Sequence, residues 1–249
     1  MFDSRFETFL ADTDMARRLH YQIRYRVFCL DRRFEDPTKV NGDEERDHWD
    51  EQSLHFLVRE KSTKQWVATM RMIQPQAKPF PIESLCKLSV RKDLTYWRHA
   101  SCEISRLCMI KRYRGHQDLS RASTKVRELT PPSKWSSGIT HKPEPEIMLG
   151  LFRAGLAYSR EQGVKQWYFL VTPALARMIK RIGVPLVQLG PGIEHRGFRI
   201  PYVTDPEQGC DVATSRSPLI ARMLEGDTPF YRRFSEISST SSVALSASA

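Results

Sequence analysis

The chain has 249 residues, 40% of them hydrophobic and 27% charged, which is ordinary for a globular protein and enough for a proper core. No apolar run approaches the roughly 20 residues of a membrane span, Met1 to Arg5 shows no apolar signal-peptide segment, and five cysteines without a C-x-x-C (Cys29, Cys86, Cys102, Cys108, Cys210) argue against a disulfide framework or zinc knuckle and for a reducing cytoplasm. The net charge of +10 is concentrated: Lys87 to Lys134 holds twelve Lys/Arg against four Asp/Glu, a local +8 that suits nucleic acid, an anionic membrane surface or an acidic carrier protein.

Thr13 or Asp14 can cap a helix running to about Phe28, with Met15, Leu19, Ile23 and Val27 as its core stripe. His20, Arg24 and Phe28 form a second row, in which Arg24 reads as one of several solvated arginines. Arg32 to Pro37, which includes Phe34, leads into an acidic loop over 41–51, where Trp49 between Asp47 and Asp50 suggests that the loop is pinned to the body. Leu54–Val58 and Trp66–Ile73 predict a hairpin, and Arg71 is a charge inside its second strand. Leu85 to Val90 is read as a short edge segment, and Ser101 to Ile110 as a buried strand. Residues 112–145 are expected to be an irregular insertion or lid. Then come a helix over Glu144–Gln162 stopped by Gly163, a strand over Lys165–Val171, and a short helix from Pro173 ended at Gly183. Closing strands are expected at 186–189 and 198–203, and a helix over Pro218–Leu224. The Ser/Ala-rich stretch 235–249 is expected to be disordered, leaving one domain over 1–234. This order predicts a mixed α/β (α+β) fold, a single central mixed sheet flanked by helices.

The chemistry centres on the strand Ser101-Cys102-Glu103-Ile104-Ser105-Arg106-Leu107-Cys108-Met109-Ile110. A buried strand does not hold an acid and an arginine without partners, because an unpaired charge out of water costs more than one hydrophobic side chain returns. Arg71 is a natural partner for Glu103 or for Asp47 and Asp50. Glu103 and Arg106 are three residues apart, so a regular strand sends them to opposite faces; either two sites exist or a bulge brings both to one side. No P-loop, nucleophile elbow, H-E-x-x-H or EF-hand pattern is present, and the seven histidines form no convincing metal set.

The ordered set Arg24-x3-Phe28, Phe34, Asp47-x2-Asp50, Arg71 and Glu103-x-Ser105-Arg106 resembles the acyl-homoserine-lactone synthases, and the topology resembles the GNAT acyltransferase fold. The match covers roughly the first 110 residues. Phe34 stands where that family usually has tryptophan, and the 112–145 stretch and the C-terminal extension are foreign to a minimal synthase. Those features are more similar to the long-chain N-acyl amino acid synthases and to the acyltransferase associated with exosortase/PEP-CTERM systems.

The resemblance implies an acyl thioester on carrier-protein phosphopantetheine, or on coenzyme A, lying against the central strand, with no permanently bound cofactor. Glu103 would be the general base toward an acceptor amine such as an amino acid. Ser105 would be either a hydrogen-bonding site residue or a plain strand serine, Arg106 part of the same catalytic group, and a backbone N–H near Leu107 would hold the oxyanion. Arg24, Phe28, Phe34, Asp47, Asp50 and Arg71 would shape or brace the acceptor pocket. Met109, Arg112 and Gly115 would serve the donor, with Arg112-x-x-Gly115 similar to part of the GNAT phosphate loop, although Gln117 replaces its third small residue. Three rivals stay open. One is homoserine-lactone synthesis from S-adenosylmethionine. Another is a nucleic-acid-binding module driven by the basic stretch, which lacks any recognisable readout motif. The third is a catalytically dead scaffold. Peripheral membrane contact remains compatible with the charge.

Overall fold

The structure is a computed structural model that describes residues 2–76, 78–89, 98–113, 144–224 and 229–237. A helical turn α1 (Phe2–Arg5) leads into β1 (Phe6–Leu10), neither of which was expected from the sequence; Phe2, Phe6 and Phe9 are fully buried. Helix α2 (Asp14–Arg24) starts where the Thr13 hydroxyl accepts the Ala16 N–H at 3.2 Å, and continues as a wider π turn over Tyr25–Asp31. Its inner face is rotated from the expected stripe: Met15 is 64% exposed, whereas His20, Ile23, Arg24 and Val27 are buried. Apolar spacing alone allows either rotation. Carboxylates beneath Arg24 select this one, because a fully paired guanidinium can be buried while an unpaired one cannot.

Strands β2 (Ser53–Glu60) and β3 (Trp66–Ile73) form the expected antiparallel hairpin. Pro81–Leu85 is a short helix, α3, and Cys86–Ser89 contains no strand, so the edge segment expected at 85–90 is not found; Pro81 pre-sets a helical φ and the Glu83 carboxylate accepts the Phe80 N–H at 2.7 Å. Val90 lies outside the described residues. Next come β4 (Ser101–Met109), α4 (Glu144–Gln162), β5 (Gln166–Val171) and α5 (Pro173–Arg181). Gly163, at φ +68°, stops α4 as expected. The chain closes with β6 (Val187–Gln188), β7 (Ile193–Glu194), β8 (Phe198–Thr204), α6 (Pro206–Arg216), α7 (Pro218–Leu224) and β9 (Arg232–Arg233). Helix α6 is a further element that sequence periodicity did not reveal. Ser235 is also ordered, against expectation, because its N–H and hydroxyl both bond Asp12.

The sheet order is β6-β8-β5-β4-β3-β2-β1-β9, with β7 paired to β8. All pairs are antiparallel except β4–β5 and β1–β9. Cross-strand partners share a face, so one face carries Arg71, Ile73, Glu103, Ser105, Tyr168, Leu170 and Pro201. The other carries Met72, Cys102, Ile104, Trp167 and Phe169, and α4 covers it: the Phe152 ring lies 6.1 Å from both Trp167 and Phe169. Gly155 permits this approach, since a Cβ there would stand 3.1 Å from the Met70 methyl.

Two irregularities position the site. In the β3–β4 ladder, Thr69 pairs Cys108 and Arg71 pairs Ser105, so Arg106 and Leu107 together oppose Met70. This is a bulge, with Arg106 at φ +48°. The Thr69 hydroxyl donates to the Arg106 carbonyl at 3.0 Å, satisfying an acceptor within the bulge. In addition, β4 and β5 pair only over Ser101–Ile104 and Gln166–Phe169. Beyond that point their ladder ends, although β4 runs on to Met109 and β5 to Val171.

Candidate active site

A cleft of about 260 Å³ opens where β4 and β5 part. Glu103, Ser105, Arg106 and Leu107 of β4 line its floor; the rest of its lining includes an apolar set, Met109, Val171, Leu175 and Met178, and a charged set, Asp47, Arg71, Glu35, Arg196 and Arg199. Phe28 and Phe34 line one side with ring centroids 6.4 Å apart, and the Arg106 guanidinium lies 5.7 Å from the centre of Phe28.

The bulge settles the alternatives for Glu103 and Arg106. By inserting a residue it turns Arg106 to the same face as Arg71, and the two arginines share Asp47: Arg71 donates to one carboxylate oxygen at 2.6 Å and Arg106 to the other at 2.9 Å. Asp50 sits deeper and accepts from Arg24 at 2.6 and 3.1 Å, from Arg71 at 2.8 Å and from the Asp47 N–H at 2.7 Å. Glu45 accepts from Arg24 at 2.6 Å and from Arg106 at 2.8 Å. Burial opposes ionisation of Glu45, but Arg106 and Arg24 outweigh it and hold its carboxyl at about 2. Asp50 and Asp47 are likewise held low, against burial, by Arg24 with Arg71 and by Arg71 with Arg106 respectively. Ser105 receives the Arg71 Nε–H at 2.9 Å. The acidic loop is pinned as expected: the Trp49 indole donates to the Pro79 carbonyl at 3.0 Å.

Arg24 is therefore not a solvated arginine. It is fully buried, does not line the cleft, and braces the loop beneath it, as does Asp50. Arg71, by contrast, both braces the loop and reaches the cleft wall. Its partners are the aspartates, and Glu103 has no ion pair among the described residues.

Glu103 is 1% exposed and accepts one N–H, from Ile82 at 2.9 Å. Several kcal/mol of desolvation outweigh the roughly 1.5–3 kcal/mol of one charged hydrogen bond. Burial accordingly pushes its carboxyl up to about 8, with the Ile82 N–H and Arg71 pulling only partly back.

Met109 reaches the cleft. Arg112 does not; it is exposed and lies 5.7 Å from the Tyr113 ring. Gly115 and most of the expected 112–145 insertion lie outside the described residues. Sequence reasoning missed Glu45, Glu35, Arg196 and Arg199. The usable signal was charge balance, since three buried arginines need more than two aspartates. No group of residues suited to a metal ion occurs among the described residues, and no described helix is long and apolar enough to cross a membrane.

Residues 23–123 match the sequence model of an acetyltransferase (GNAT) domain. No curated protein sequence matches the chain. Among solved structures, TofI in a ternary complex with an inhibitor and MTA superposes with a TM-score of 0.57 at 17% identity, covering 86% of this chain and 99% of that one. BjaI, a CoA-dependent acyl-homoserine lactone synthase with SAM and isopentyl-CoA, gives 0.55 at 16%, covering 85% and 88%. FeeM, an N-acyl amino acid synthase from uncultured soil microbes, gives 0.55 at 14%, covering 88% and 98%. The fold is the GNAT fold, and the segment similar to the acetyltransferase model, residues 23–123, contains the bulged strand and its arginines.

Proposed function

We propose that this chain transfers a fatty acyl group from a pantetheine thioester to the amino group of a small acceptor, an amino acid. The observation that carries this reading is Glu103: a proton-holding carboxyl at the floor of a cleft formed by two parting strands, beside a bulge. The apolar wall suits an acyl chain, and the parted edges of β4 and β5 offer backbone groups to the amides of pantetheine. The acceptor nitrogen attacks the thioester carbonyl, and the oxyanion is held by backbone N–H at the bulge near Leu107. Glu103 takes the proton released as the C–N bond forms and returns it to the departing sulfur as the C–S bond breaks. Burial raises the Glu103 carboxyl to about 8, so the base gains activity as the pH rises toward that value.

Carrier protein is favoured as the donor by the local +8 of residues 87–134. Homoserine-lactone synthesis is the second reading, favoured by the shared fold of BjaI; the Phe28–Phe34 pair, only loosely stacked and with Phe34 40% exposed, is what weighs against an S-adenosylmethionine pocket here.

The test is mass spectrometry of lipid extracts from cells expressing wild type or Glu103→Gln, followed by purified acyl-carrier protein with an amine panel. New N-acyl species with a free carboxylate, strongly reduced in the folded variant, support the reading. A lactone head group selects the alternative, and equal output from both proteins sinks the role of Glu103.

A further inference from the structure

Among the described residues, the charged wall of the cleft and the network beneath it together hold one more positive charge than their carboxylates neutralise. Arg24, Arg71, Arg106, Arg196 and Arg199 face the carboxylates Glu35, Glu45, Asp47 and Asp50, with Glu103 protonated. Arg32 and Glu144, which also line the cleft, carry opposite charges and leave this count unchanged. Arg196 is ion-paired with Glu35, which lies 3.9 Å from Arg106. Arg199 alone of these five has no carboxylate partner among the described residues. Its Nε–H donates to the His195 carbonyl at 2.8 Å and one terminal N–H to the Arg196 carbonyl at 3.3 Å. The rest of its donor fork is left for a ligand.

The register places this arginine. Leu170 pairs Pro201, on the face that also carries Glu103, and Arg199 is two residues from Pro201 on β8. Two carbonyls of the β7–β8 loop thus fix a half-buried guanidinium that lines the same cleft as Glu103 on the same face of the sheet. The loop carries strain as well: Arg196 sits at φ +54°, a left-handed conformation that a non-glycine residue rarely adopts without a reason.

We propose that Arg199, steadied by Arg196 and the β7–β8 loop, binds the carboxylate of the acceptor, so that the enzyme selects free amino acids over amides, esters and simple amines. This rests on the acyl-transfer reading above and adds to it the residue that selects the acceptor. A vacancy of one charge matches a monoanionic carboxylate better than a phosphate dianion. A planar fork also matches a carboxylate in shape.

The experiment is equilibrium binding to the full chain of N-decanoylglycine, N-decanoylglycinamide and inorganic phosphate, with wild type and Arg199→Gln, alongside acylation of glycine and glycinamide. The expected result is that wild type binds the acid at least tenfold more tightly than the amide, and that Arg199→Gln removes that preference while binding the amide unchanged. In turnover, the variant's KM for the amino acid rises at least tenfold with kcat largely kept. Equal binding of acid and amide, no binding of the acid, an unchanged preference in Arg199→Gln, or phosphate binding that depends on Arg199 without acid selectivity each overturns the inference. The binding arm reads it without activity. Loss of acylation with an Arg199-dependent preference intact would instead indict the acyl-transfer reading.

Discussion

Glu103 and Asp50 are both buried carboxyls on one side of one sheet, and they have opposite protonation. Asp50 accepts four hydrogen bonds, three of them from guanidinium groups. Glu103 accepts one, from a backbone amide. Burial disfavours the ionised form in both, and the number of charged donors decides whether it wins. The molecule thus separates a permanently ionised network, which holds the loop to the sheet, from a carboxyl that can exchange its proton. The first suits architecture and the second suits proton transfer.

The largest effect expected from breaking this contrast is on turnover. Glu103→Gln should reduce the rate by about 10²–10⁴-fold and abolish the rise in rate through about pH 8 that belongs to this group, leaving the titration of the acceptor amine. A pH–rate profile of both proteins reads this.

Arg24→Met should destabilise the fold by about 3–5 kcal/mol, measured by denaturant unfolding, because it leaves Asp50 and Glu45 buried with too few donors. The same network predicts acid sensitivity. Glu45, Asp47 and Asp50 have folded-state values below their ordinary ones, so their stabilisation is present above about pH 4.5 and is lost as the pH falls towards 2. Loss of the midpoint between pH 4.5 and 2 in wild type, and a shallower dependence in Arg24→Met, would sharpen the comparison.

Glu103 behaves with the reverse sign. Its folded value is raised, so its contribution is fully favourable below about pH 4.5 and declines as the pH rises through about 8. Glu103→Gln should therefore be the more stable protein at pH 8, by on the order of 4 kcal/mol, although it is expected to be the less active one. A variant no more stable than wild type would mean that Glu103 is ionised in the fold. The smallest effect is expected from Ser105→Ala, about 1 kcal/mol from the lost Arg71 hydrogen bond.

Much of this was legible beforehand. Alternation gave the β2–β3 hairpin, periodicity gave α4, and charges inside apolar strands pointed to Arg71, Glu103 and Arg106. What escaped depended on partners remote in sequence. Glu45 looks like any acid in an acidic loop until Arg24 and Arg106 converge on it from 21 and 61 positions away. Met15 and Arg24 exchanged their expected exposures because ion pairing, rather than apolar spacing, set the rotation of α2. Arg199 stands in a basic protein as one charge among many, and only strand register places it on the sheet face that carries Glu103.

The bulge on β4 also acts as a change of phase. Before it, odd-numbered residues face the cleft: Glu103 and Ser105. After it, the even-numbered Cys108 takes that side, and its Sγ lies 3.1 Å from the Thr69 hydroxyl. One strand therefore serves two programmes of side chains with the same alternation. Deleting Leu107 would restore a single phase: Cys108 would keep its side and its pairing with Thr69, while Arg106 would oppose Met70, turn toward α4 and be withdrawn from Asp47. The cleft floor and the loop clamp thus meet at one inserted residue, and removing it would leave Glu103 and Ser105 in place but cost the clamp its Arg106.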